Sequence, residues 1–122
     1  MLLEQGPLMP TADASVTFEC VASARWGYHP SPTVLARRTM QAYPLALWWL
    51  RLRAEQLATQ LPPRFAQAVR AWHADADEHR RVRHLLALGE PYALPIDGGD
   101  AEHLLTARPL QPPVDPRQAV TR

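Results

Sequence analysis

Proline decides where this chain can be regular. Thirteen prolines occur in 122 residues, yet none falls in 64–90 and four fall in 109–122. Proline lacks the N–H a helix needs, and its ring collides with the carbonyl four residues back. It therefore opens and closes helices rather than sitting inside them. Residues 1–12, with Pro7 and Pro10, read as an irregular leader. From about Asp13 to Trp26 the spacing of Phe18, Val21, Ala22 and Trp26 predicts a helix, with Gly27 as its stop. His29-Pro30-Ser31-Pro32 is a turn. Ser31 as N-cap and Pro32 at the first helical position then predict a short helix over 32–42.

Pro44 can open the next helix, about 44–60. Leu45, Trp48, Leu52 and Gln56 lie on one side of it, and Leu47, Leu50, Ala54, Leu57 and Leu61 fill another. Only a narrow strip with Arg51, Glu55 and Thr59 is polar. A helix apolar over most of its circumference is one buried between partners. After Leu61-Pro62-Pro63, the positions of Phe65, Val69, Trp72, Ala76, His79, Val82, Leu85 and Leu86 predict one long helix over 63–88. Gly89 follows at the C′ position and Pro91 blocks continuation. The link between the two long helices is so short that they should form an antiparallel αα-hairpin. Tyr92-Ala93-Leu94-Pro95-Ile96 reads as extended, although Pro95 weakens it as a strand. Asp97-Gly98-Gly99 reads as a turn, and Asp100 as the cap of a short helix over 101–107. Residues 109–122 show no apolar periodicity and read as an extended arm. The expected fold is thus mainly α: a single helical domain over 1–108 built on the hairpin 44–60 and 63–88, shorter N-terminal helices, and a Pro-rich C-terminal arm.

Composition narrows the function classes. The formal net charge is +1, which argues against a strongly basic nucleic-acid binder. One cysteine excludes an internal disulfide framework and a Cys-rich zinc module. A chain of this length buries about two-thirds of its unfolded surface and needs neither as a staple. There is no Lys and no Asn, and all thirteen basic residues are Arg, a bias expected of GC-rich coding in a bacterium or its phage. Met1-Leu2-Leu3-Glu4-Gln5 has no basic n-region, and the apolar run Leu45 to Leu50 meets Arg51 and Arg53. The expectation is a soluble protein of the bacterial, or infected host, cytoplasm with no membrane contact.

The chemistry-bearing residues favour no enzyme class. His73 and Asp77, and likewise Asp75 and His79, stand four apart in the predicted helix, a spacing that can hold a divalent metal. The two histidines are six apart, however, and face different ways, so a solvated face with ion pairs outweighs a metal site. Cys20 would need a neighbouring His to act as a nucleophile, and a buried thiol is the simpler reading. Ser15, Ser23 and Ser31 lack a nucleophile elbow, and Asp97-Gly98-Gly99-Asp100 lacks the alternating ligands of a calcium loop. No metal, no cofactor and no catalytic residue is expected. Arg37-Arg38 and the cluster Arg80, Arg81 and Arg83 could contact phosphates, the latter offset by Asp75, Asp77 and Glu78. Trp48 and Trp49 point about 100° apart on a helix, so at most one of them faces the same core as Trp72. An exposed Trp there would be an interface hot spot.

Val21-Ala22-Ser23-Ala24-Arg25-Trp26-Gly27, then Pro30, Pro32, Met40, Leu45, Trp48-Trp49 and Arg51-x-Arg53-Ala54, resembles short phage tail assembly chaperone domains. The resemblance implies a small helix ending in an aromatic-rich turn, a proline turn, and transient binding of a tape-measure or other tail protein without catalysis. The sequence departs from that pattern by extra residues between Trp26 and Met40 and by the long segment 63–88. The reading that follows is a non-enzymatic protein–protein interaction module, such as an assembly chaperone, adaptor or accessory subunit. Its expected contacts are Trp48 or Trp49 and the arm prolines Pro109, Pro112 and Pro113, and self-association is compatible with it. The first alternative is a small regulator or inhibitor that binds nucleic acid or a nucleoprotein through Arg80, Arg81 and Arg83. A metal- or thiol-dependent enzyme using His73, Asp77 and Cys20 comes last.

Overall fold

Residues 18–26 read Phe-Glu-Cys-Val-Ala-Ser-Ala-Arg-Trp, and their burial alternates with a period of two rather than 3.6. Phe18, Cys20, Ala22 and Ala24 point into the core while Glu19, Val21, Ser23 and Arg25 point away. The computed structural model, which describes residues 16–110, makes this segment the strand β1 (Phe18–Trp26). It forms a hairpin with β2 (Thr33–Met40), and the chain closes with a second hairpin, β3 (Tyr92–Asp97) and β4 (Ala101–Pro109). Between the hairpins lie three helices: α1 (Tyr43–Gln60), α2 (Pro63–His73) and α3 (Ala76–Ala87). The sheet order is β2-β1-β4-β3, antiparallel throughout, so the first and last strands form its central pair.

The fold is therefore mixed α/β and not mainly helical: 43% of the described residues are helix and 34% are strand. The helices predicted over 13–26 and 32–42 are β1 and β2, and the helix predicted over 101–107 is β4. Ala22 and Ala24 of β1, and Ala101, Leu104, Leu105 and Ala107 of β4, favour a helix locally, but these two strands each gain hydrogen bonds on both sides of a central position. Long-range pairing overrides that weak local preference. Pro109 is the last residue of β4, opposite Phe18, rather than the start of an arm. The leader 1–12 and the arm prolines Pro112 and Pro113 lie outside the described residues.

The helical hairpin does form. Arg70 of α2 reaches the carbonyl of Ala58 and His73 stands opposite Glu55, so α1 and α2 run antiparallel across the Leu61-Pro62 link. The single helix expected over 63–88 is broken at Ala74-Asp75. The Asp75 carboxylate accepts from the Glu78 N–H at 3.1 Å and caps α3. Asp77 and Glu78 then fall in the first turn, where the helix dipole favours anions. At the far end Gly89 adopts φ +79°. Its N–H bonds Leu86 and the Glu90 N–H bonds Leu85, satisfying the last carbonyls as the sequence predicted.

The three helices cover one face of the sheet, with α1 against β1 and β4. Leu47 and Leu50 of α1, Val69 of α2, and Val82 and Leu86 of α3 join Phe18, Cys20, Leu105 and Ala107 in one core. Small residues beneath the helices, Ala22 and Ala107 among them, let the layers approach closely. Pro95 sits on the edge strand β3, where no further ladder partner needs its missing N–H.

Candidate functional site

Helix α1 separates its two tryptophans. Trp49 is 4% exposed inside the core, with the Arg53 guanidinium 5.9 Å from its ring. Trp48 is 54% exposed and Leu45, one turn earlier, is 46% exposed. With the half-buried Leu52 they form an apolar stripe at i, i+3 and i+7. A groove of ≈ 340 Å³ runs beside this stripe, between α1 and the α2–α3 corner. Trp48, Arg51, Leu52 and Glu55 line it from α1, His73 from the end of α2, and Arg83 from α3.

The charges around the groove are unevenly satisfied. Arg80 is tied to Asp77, and Arg81 grips Glu78 with two bonds at 2.9 and 2.7 Å. Those bonds hold the Glu78 carboxyl below the usual carboxylate range, helped by the Tyr92 hydroxyl that donates to it at 2.9 Å. Tyr92 in turn accepts from the Trp72 indole N–H at 3.0 Å, and burial pushes its own hydroxyl up to about 12. Two of the three arginines predicted to meet phosphates are thus already neutralised. Arg83 and Arg51 differ: no carboxylate of the described residues stands within 4.0 Å of either guanidinium. Glu55 lies a turn beyond Arg51, with His73 4.0 Å away.

The other chemistry-bearing residues are dispersed. His73 ends α2 and Asp77 starts α3, so the helix break removes their shared face. Asp75 is occupied as a cap. His79 is buried against Trp72, ring centroids 4.6 Å apart, and its Nε2 has no hydrogen-bond partner among the described residues. Burial first, and Arg51 second, lower its pKa. Among the described residues no group of three or more His, Cys, Asp or Glu side chains could hold a metal ion. Cys20 is fully buried in β1, and that burial, with Glu19 adjacent, pushes its thiol up to about 12. Such a thiol is inert rather than nucleophilic. Ser15 lies outside the described residues, and Asp97 serves the β3–β4 turn by accepting from the Gly99 N–H at 2.9 Å. There Gly99 has φ +87°.

Sequence reasoning missed one surface entirely, the sheet face away from the helices. Two hollows of ≈ 550 and ≈ 410 Å³ lie on it, sharing Ser23, Pro32 and Leu104. Val21, Val34 and Leu104 supply its apolar centre. Ion pairs frame that centre: Arg25–Glu102 at 2.6 Å, and Glu19 between Arg37 at 3.4 Å and Arg108 at 2.9 Å. The end of β1 exposes Trp26 by 41%, and the hairpin turn after it exposes Tyr28 by 90%. The polar residues alternating at 19, 23 and 25 were the available signal for this face.

Comparison with protein-family models, curated proteins and solved structures returned no match. No helix of the described residues is long and apolar enough to cross a membrane.

Proposed function

We propose that this chain is a non-enzymatic protein–protein interaction module, acting in the cytoplasm as an assembly chaperone, adaptor or accessory subunit of a larger complex. The observation that carries this reading is the uncovered stripe Leu45–Trp48–Leu52 on α1. A large aromatic left half in water beside other apolar side chains is what a partner buries on docking, and Trp is the residue most enriched where binding energy concentrates. The resemblance to phage tail assembly chaperones offers one such role, the transient holding of a tail protein. The inert Cys20 and the scattered histidines give an enzyme reading no support. The nucleic-acid alternative loses force because Arg80 and Arg81 are committed to carboxylates.

The test is Trp48→Ala. The variant should keep its far-UV circular dichroism and lose co-purifying partner, or self-association, when the full chain is isolated from its native source and sized by light scattering. An unchanged complex or oligomer would remove the proposal. Affinity for an oligonucleotide that falls steeply with salt and with Arg80→Ala plus Arg81→Ala would favour the alternative.

A further inference from the structure

We infer that the groove between α1 and the α2–α3 corner takes an acidic amphipathic helix of a partner protein, an inference that rests on the interaction reading above. The stripe at residues 45, 48 and 52 rises along one side of α1, and its spacing matches the apolar face of a second helix laid beside it. Arg51 and Arg83 line the same groove, and no carboxylate of the described residues stands within 4.0 Å of either guanidinium. Two guanidiniums against one carboxylate, Glu55, among the described groove residues leave a net positive rim beside the apolar strip, which selects against a basic partner and attracts one whose flanks carry Asp or Glu. Among the described residues the one groove-lining carboxylate, Glu55, stands one turn beyond Arg51 on the same side of α1, with His73 4.0 Å from it. The partner's acidic residues therefore belong at the Trp48–Arg51 end, and its apolar anchor against Trp48.

A nucleic acid would use the same cations but would leave Leu45 and Leu52 uncovered. Nearby Asp77 and Glu78, though paired, weaken the long-range field that phosphates require. The favoured occupant is accordingly a protein helix, and nucleic acid is an outcome of the experiment.

The probes are a short synthetic helical peptide with Leu at i, i+3 and i+7 flanked by Glu, its twin with every Glu replaced by Lys, and a short single-stranded DNA. Each carries a fluorophore and is titrated with the full chain while anisotropy is read. The acidic peptide should bind about tenfold or more tightly than its basic twin, and added salt should shrink that difference. Arg51→Glu with Arg83→Glu, both at exposed positions, should invert the preference with unchanged circular dichroism. Trp48→Ala should weaken both peptides without inverting it. Failure of the acidic peptide to bind, equal affinity for the twins, tighter binding of the DNA, or a double variant that keeps the wild-type preference would each overturn the inference. If Trp48→Ala still abolishes association with the native partner while the double variant keeps its preference, the acidic-helix inference falls and the interaction reading stands. Association indifferent to Trp48 removes both.

Discussion

Trp48 and Trp49 are chemically identical neighbours on α1, and they differ only in what lies beyond them. On the Trp49 side the chain supplies its own partner: the sheet with Phe18 and Leu105, the helix α2 with Val69, and α3 with Val82 and Leu86. On the Trp48 side the described residues supply a groove edged by arginines and leave the indole 54% exposed. The helix is apolar nearly all round, which is the pattern of a helix buried on every side. Among the described residues that burial is completed on one side only. The difference teaches that apolar content along α1 meets two demands, one answered by folding and one left to association.

Breaking the folded side should give the largest effect. Trp49→Ala removes a buried aromatic and should cost about 3–5 kcal/mol of stability, read from urea unfolding. A loss comparable to that of Trp48→Ala would erase the distinction between the two sides.

Acidification should act next, through His79 on α3. In the fold its pKa lies below the ordinary 6.5, because burial and Arg51, with His73 also near, oppose the charged form while Asp75 favours it. The unfolded chain then binds more protons than the folded one in the window from that lowered value up to about 6.5, so stability rises with pH across it. His103, also lowered by burial, contributes in the same direction. Unfolding midpoints should fall from pH 7 to pH 5, and His79→Gln should flatten the trend. An identical slope in that variant would show that His79 is not responsible.

Asp75→Ala should cost about 1 kcal/mol by removing the cap that starts α3 and aims Arg83 at the groove. The smallest effect on stability belongs to Trp48→Ala, within about 0.5 kcal/mol, as for exposed positions generally. A larger loss would mean that Trp48 already does structural work and is not held in reserve for a partner.

Legibility in the sequence followed the range of the interactions. The α1–α2 hairpin, the Gly89 stop and the Asp97-Gly98-Gly99 turn depend on residues a few positions apart, and each was readable. The Asp75 break was readable in principle, since an Asp followed three residues later by Glu opens helices, but the apolar spacing on both sides masked it. For β1, Phe18, Val21, Ala22 and Trp26 also fit a helical face, so two periods competed over the same nine residues. The alternation of Glu19, Ser23 and Arg25 favoured the strand, yet the deciding partner, β4, lies about eighty positions away in the chain. Which tryptophan of the pair would be exposed was likewise undecidable before the position of the sheet was known.

The amino-acid sequence by itself determined where α1 starts and stops, where α2 starts and where α3 ends. Proline geometry, glycine at positive φ and side-chain caps act within a turn or two of the backbone. It also determined that Trp48 and Trp49 must part, because successive residues of a helix point about 100° apart. Only the tertiary structure decided that both ends of the described chain are strands. A strand's hydrogen bonds are made to distant segments, and the same residues satisfy a local helical pattern until those segments meet. The same long-range pairing decided which side of α1 is covered, and so left Trp48, Arg51 and Arg83 facing outward.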